Sequence, residues 1–292
     1  MKIDKDEIMH PEDKAAIAAL SGTLGFKQLA KWLMEKYSEE QCRGLNLGSD
    51  LKLGRNQYPE IYQMLVDICE ILEISPVPEL YLTLSRDINA GTYGDTRIFI
   101  RINSGLLESV PIQEVKVVLA HECGHILCRH TLYTTLSNLL LSGARMFVPA
   151  VFTEPIQLAL LRWQRMSEFS ADRVSALVTG SSFHAENLLM RFCGPVQNAA
   201  GWQFNKDEYE KQLKEFESLL ARNWSKTLQA LAVMNMNHPL TAARIIELRK
   251  WTKTPAFSRY TELLDVRTCP KCGNALREDG SNRFCRKCGM PL

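Results

Sequence analysis

The spacing of apolar residues divides the chain into helical and strand-like segments, with helices in the majority. From Pro11 to about Lys36, Ile17, Leu20, Leu24, Leu29 and Leu33 recur at roughly helical intervals, predicting one helix followed by a glycine-rich loop. Tyr58 to Ile74 predicts a second amphipathic helix, stopped by the turn at Pro76 and Pro78, and Leu80 to Leu84 and Arg97 to Ile102 predict short strands. Ser109 can cap free amides and Pro111 suits a first turn, so a helix is expected to start there and run through Val117 to Tyr133. Further helices are expected over Ile156 to Val178, over Lys206 to Arg222 with one solvated face, and over Leu240 to Trp251.

The periodicity fades from Thr252 to Thr268, where Pro255 also falls, and predicts a linker before a cysteine-rich tail. The expected division is residues 1–251, a linker at 252–268 and a small domain at 269–292. The longest apolar run, Thr131 to Ala144, stops at Arg145, short of the roughly 18 residues that a membrane span needs. A buried helix is the preferred reading. Apolar content resumes at Met146 to Phe152, which leaves residues 131–152 as a candidate for contact with a membrane surface.

With 46% hydrophobic and 23% charged residues, the composition is that of a globular protein and excludes a fibrous or disordered one. A net charge of +2 supplies no whole-chain pull toward nucleic acid or anionic lipid. The charged start, Met1 to Glu7, lacks the apolar core of a signal peptide, and nine cysteines without a disulfide framework fit a reducing compartment; a cytoplasmic location, peripheral to the membrane at most, is expected.

His121-Glu122-Cys123-Gly124-His125 is an HExxH pentapeptide inside the helix expected through Val117 to Tyr133. Two histidines at i and i+4 share one helix face and can bind one zinc ion, beside which Glu122 can take a proton from an attacking water. Val117, Val118, Leu119, Ile126 and Leu127 make the helix largely buried, and polar groups there need a shared reason. A catalytic zinc takes a third protein ligand, for which Glu168 is the best candidate, with Asp172 one turn on to accept a histidine N–H. Taken alone, that segment reads more readily as surface acids paired with Arg165 and Arg173. Cys123 lies off the ligand face and is expected to pack.

The segments around Asn89, His121, Glu168 and His238 resemble the HtpX-like and CaaX-prenyl-protease family of zinc metallopeptidases, which includes the Oma-type enzymes, over most of residues 10–250. The blocks that carry the resemblance are HExxH at His121 to His125, a later Glu-x-x-x-Asp at Glu168 and Asp172, and His238-Pro239 with Arg244 downstream. The resemblance implies that His121, His125 and Glu168 hold a catalytic zinc and that Asp172 supports a zinc histidine. It implies that His238 and Arg244 act at the site on the oxyanion or the substrate, and that Asn89, Ala90 and Gly94 border a cleft where an extended substrate adds to a sheet edge. Taken without it, His238 is a loop residue, Arg244 a partner for Glu247 and Asn89 to Gly94 a turn. The chain departs from the membrane-embedded members in lacking clear spanning helices between His125 and Glu168.

Cys269-Pro-Lys-Cys272 and Cys285-Arg-Lys-Cys288 are two knuckles with twelve residues between them, a spacing that suits four thiolates around a structural zinc whose binding drives folding of so small a segment. Basic residues dominate this ribbon, but Phe284 is its single aromatic residue, so a docking protein is preferred to nucleic acid as its partner. The expected protein is α+β and mostly helical. It has a gluzincin-type metallopeptidase domain with a small edge sheet and a C-terminal zinc ribbon, and it holds one catalytic and one structural Zn2+. It is expected to hydrolyse internal peptide bonds in soluble or misfolded protein in extended form. The rival readings are a membrane-surface protease and a non-catalytic zinc-ribbon binding module.

Overall fold

The structure, a computed structural model, describes residues 3–36, 39–141, 150–194, 204–221, 238–266, 268–269, 284–285 and 290. Its centre is α7, Ile112–Leu127, which buries Val115, Val117, Val118, Leu119, Ala120, Cys123 and Leu127 and so is apolar nearly all round, as a helix must be to stand in the middle of a core. The 30-residue α9, Ala150–Thr179, packs along it. Around this pair are α1 (Lys5–Ile8), α2 (Pro11–Gly22), α3 (Phe26–Lys36), α4 (Glu39–Ser49), α5 (Pro59–Ile71), α6 (Ser104–Ser109), α8 (Thr131–Leu141), α10 (Phe183–Cys193), α11 (Lys206–Ala221), α12 (Thr241–Trp251) and α13 (Pro255–Leu263).

Four strands, β1 (Leu51–Leu53), β2 (Glu79–Thr83), β3 (Ala90–Tyr93) and β4 (Phe99–Asn103), form one sheet in the order β1-β2-β4-β3. β2 and β4 are parallel, with Leu80 opposite Ile100, while β3 and β4 form an antiparallel hairpin with Thr92 opposite Ile100. Gly94 makes that hairpin turn: its φ of +104° favours glycine, and a Cβ there would lie 2.1 Å from the Arg97 carbonyl oxygen. β3 is thereby an edge strand, packed on its inner side against α7 and α8.

The N-terminal segment meets α12 and α13. The Asp4 amide and the Glu7 carboxylate bond the Tyr260 hydroxyl of α13, at 3.2 and 2.6 Å, and His10 Nε2 lies 3.2 Å from Glu247 of α12. Residues 252–268, expected to be an aperiodic linker, carry α13, whose Thr254 accepts from the Phe257 amide and whose Phe257 and Tyr260 are buried. The Thr-Pro start was the available signal.

Three other expectations are corrected. The single helix from Pro11 to Lys36 is two, because Thr23 leaves helical geometry and Gly25 turns the chain at φ +79°; Leu24, which kept the apolar period unbroken, stands 95% exposed at the corner. The glycine-rich loop after it contains α4, tied down where the Glu39 carboxylate accepts the amides of Asp95, Thr96 and Arg97. The helix through Tyr133 breaks after Leu127, where Arg129 takes φ +60° and α8 starts anew at Thr131; Ser109 ends α6 rather than capping α7. The described side chains of α8 are buried or half-buried, which fits the buried-helix reading of that run.

Candidate functional site

α7 presents His121 and His125 one turn apart, and α9 presents Glu168 opposite them. The approach is close because Gly124 lies where the helices touch: a Cβ there would be 2.9 Å from Ala171 Cα and 3.1 Å from its carbonyl oxygen. The two Nε2 atoms are 3.2 Å apart, and each lies 3.5 Å from a different oxygen of Glu168, His121 from Oε2 and His125 from Oε1. The edge of a tetrahedron with metal–ligand bonds of about 2.0–2.1 Å is about 3.4 Å, so the three groups fit one zinc ion and leave a fourth position open. Among the described residues, these three form the metal-competent cluster.

Asp172, one turn beyond Glu168, lies 3.0 Å from His121 Nδ1. The Arg244 guanidinium donates to Asp172 at 2.8 and 2.7 Å and lies 3.0 Å from Glu168. Arg244 therefore serves the acid pair; Glu247 is engaged instead by His10 and Lys250, and Arg173 donates to the carbonyl of Ile8. Burial pushes the Glu168 and Asp172 carboxyls up, but the positive groups facing them, Arg244 first, hold both below the usual carboxylate range. Burial likewise opposes charge on His121, yet the two carboxylates outweigh it and its pKa is pushed up to about 10. A divalent cation competes with that proton for the same negative field.

Glu122 is buried beside the cluster, and the Thr92 hydroxyl of β3 donates to one of its carboxylate oxygens at 2.6 Å. His238, half-exposed, holds its Nδ1 3.1 Å from Glu168. All of these residues line a cleft of about 680 Å3. Asn89, Ala90, Gly91 and Thr92 of the sheet edge line one wall, and Leu188, Leu189 and Phe192 of α10 line another. Asn89 and Ala90 are thus at the cleft as expected, whereas Gly94 is not among its lining residues and serves the hairpin, its amide donating to Thr135. Cys123 is fully buried in the core, as expected.

Sequence reasoning missed three residues. Thr92 carried no signal beyond strand alternation. His130, fully buried, places its Nδ1 3.0 Å from His125 Nδ1, and its Nε2 lies 2.9 Å from Asp13 of α2. A histidine five residues after HExxH, past a helix break, was a signal only in hindsight of that break; Asp13 looked like an ordinary first-turn acid. In the tail, Cys269 and Cys285 are buried, while Cys272 and Cys288 lie outside the described residues.

The sequence profile of peptidase family M48 matches residues 56–252. The chain is 29% identical over 257 residues to the plastoglobule-localized metallopeptidase 48, chloroplastic, of Arabidopsis thaliana, a match covering 86% of this chain and 74% of that one. It is 22% identical over 228 residues to protease HtpX homolog 2 of Methanosarcina mazei (68% and 74% covered) and 27% identical over 226 residues to the protease HtpX homolog of Acaryochloris marina (67% and 73%). No helix among the described residues is long and apolar enough to cross a membrane. The matched residues extend from just before α5 to the end of α12 and so take in both helices that build the cluster and the strand that walls its cleft: the chain belongs to peptidase family M48, as an HtpX-like metalloprotease.

Proposed function

We propose that the chain is a zinc-dependent endopeptidase acting on protein or peptide in extended, soluble or misfolded form, with His121, His125 and Glu168 as the metal ligands. The observation that carries this reading is the convergence of two imidazole nitrogens, 3.2 Å apart, on the Glu168 carboxylate, each 3.5 Å from a different one of its oxygens, in a cleft walled by an edge strand. Zinc, when bound, supplies the Lewis acidity that makes water a nucleophile near neutral pH and polarises the scissile carbonyl.

The remaining work belongs to the chain's own side chains. Glu122 takes the proton of the attacking water and passes it to the leaving amine. Thr92 holds one oxygen of Glu122 and leaves the other for that proton. His238, at the rim of the cleft, donates a hydrogen bond to the oxyanion that develops on the substrate. Arg244 acts from behind, holding Glu168 and Asp172 in place, and Asp172 orients His121. The outer edge of β3, from Asn89 to Thr92, offers unpaired backbone groups to which an extended substrate adds as a further strand, a mode that reads main chain rather than sequence. Cys269, Cys272, Cys285 and Cys288 hold a second, structural zinc in a ribbon that docks a protein partner.

Elemental analysis tests both metals. The full chain should carry two zinc ions; a Cys272→Ser/Cys288→Ser variant should carry one and keep peptidase activity on an unfolded protein. One zinc falling to none would remove the catalytic metal and the reading with it. A second measurement addresses Thr92: Thr92→Val keeps shape but removes a hydrogen bond to a charged group worth about 1.5–3 kcal/mol, so kcat should fall about 10- to 100-fold. An unchanged kcat would mean that Thr92 does not orient the base.

A further inference from the structure

His121 and His125 do not receive the same support. The Nδ1 of His121 meets a carboxylate directly, that of Asp172 on α9. The Nδ1 of His125 meets another imidazole, His130, at 3.0 Å, and behind it stands a carboxylate from a distant part of the chain, Asp13 of α2, 2.9 Å from His130 Nε2. The backbone turn makes this possible: with Arg129 in the left-handed region, the His130 amide donates to the His125 carbonyl at 2.8 Å and the His130 ring folds back against the end of α7.

The chain of bonds has a defined direction. The same oxygen of Asp13 accepts from the Ser170 hydroxyl at 2.5 Å, and Ser170 Oγ accepts from the His10 amide at 2.9 Å, so that hydroxyl has its proton committed to Asp13. A carboxylate accepts, so the proton between it and His130 sits on Nε2 of His130. In the neutral ring His130 Nδ1 is then an acceptor, and the proton shared between the two imidazoles belongs to His125 Nδ1. That tautomer leaves His125 Nε2 with its lone pair directed at His121 and Glu168. His130, Asp13 and Ser170 are each fully buried, where polar groups are costly unless bonded to one another, and His130 is also gripped edge-on by Trp163 at 5.6 Å.

We propose that His130 and Asp13 are positioning residues of the metal site: a relay from α2 through the α7–α8 turn that fixes His125 in the tautomer and ring orientation that present Nε2 to zinc. Asp13 lies outside residues 56–252, the part of the chain that the family profile matches, so α2 contributes to the working site from beyond it. The proposal rests on the reading of His121, His125 and Glu168 as metal ligands.

The test is the zinc affinity of that site in the full chain, measured by chelator competition, with His121→Ala as the control that defines it. His130→Leu keeps apolar bulk but offers His125 no acceptor, and should weaken zinc about 10- to 100-fold. His130→Gln can accept at Oε1 and donate to Asp13 from Nε2, and should stay within about threefold of wild type. Equal weakening in both variants would reduce His130 to a packing residue, and no weakening in His130→Leu would remove the relay. If His130→Leu does not fold, long-range 1H–15N spectra of the zinc-loaded wild type decide: the proposal requires His125 protonated at Nδ1 and His130 at Nε2, and the opposite pattern overturns it. A wild type with no zinc sensitive to His121→Ala overturns the ligand reading itself, and this proposal falls with it.

Discussion

Glu122→Gln is expected to abolish turnover while leaving the metal in place. Glu122 is not one of the three converging donors, and the amide oxygen of Gln can still accept from Thr92, so neither the ligand set nor the packing around the residue is disturbed. What is lost is a group able to take a proton from water and return it to the amine. A general base in this position contributes about 10^2- to 10^4-fold, and kcat should fall by that factor at unchanged zinc content and unchanged thermal midpoint. Hydrolysis close to wild type in a zinc-loaded Glu122→Gln protein would assign the base elsewhere.

The second large effect is expected at Gly124. Replacing a glycine in a helix ordinarily stabilises it, by roughly 0.5–1 kcal/mol for alanine, because glycine gives up more freedom on folding. Here the sign reverses, because a Cβ would press on Ala171 Cα and carbonyl oxygen at 2.9 and 3.1 Å and on Val174 Cβ at 3.1 Å, and backbone cannot swing aside as a side chain end would. Overpacking of this kind costs about 1–3 kcal/mol, and valine adds two methyl groups to the contact. The displacement falls between His121 and His125 on one helix and Glu168 on the other, separations now of 3.5 Å. Gly124→Val should therefore lose at least about 2 kcal/mol in urea unfolding and lose zinc as well. A variant with wild-type stability and full zinc would show that the helices do not need their close approach.

The parts of this molecule that sequence reveals are those where chemistry and period coincide. α7 and α9 were legible as helices from their apolar period, and HExxH imposes a spacing that few other needs impose, whereas Glu168 and Asp172 stood out only through the family resemblance. α4 was not, because Gly44 and Gly48 weaken its local signal while its anchor, the Glu39 carboxylate over the β3–β4 turn, lies more than fifty residues away in sequence. The break at Thr23 was hidden by Leu24, an apolar residue in register but out in solvent. The direction of Arg244, inward onto Asp172 and Glu168, depends on how α12 lies against α9 and has no local mark in the sequence. Asp13 and His130 are 117 residues apart, and nothing local to either announces the other.

The contact of the N-terminal segment with α12 and α13 has a consequence in time. Synthesis delivers Asp4, Glu7, His10 and Asp13 well before their partners: His130 and Ser170 for Asp13, Glu247 for His10, Tyr260 for Asp4 and Glu7. The acid pair on α9 has no guanidinium to neutralise it until Arg244 has been made, and two buried carboxylates without their cation are strongly disfavoured. A growing chain can thus expose its HExxH segment for more than a hundred residues of synthesis without a completed centre.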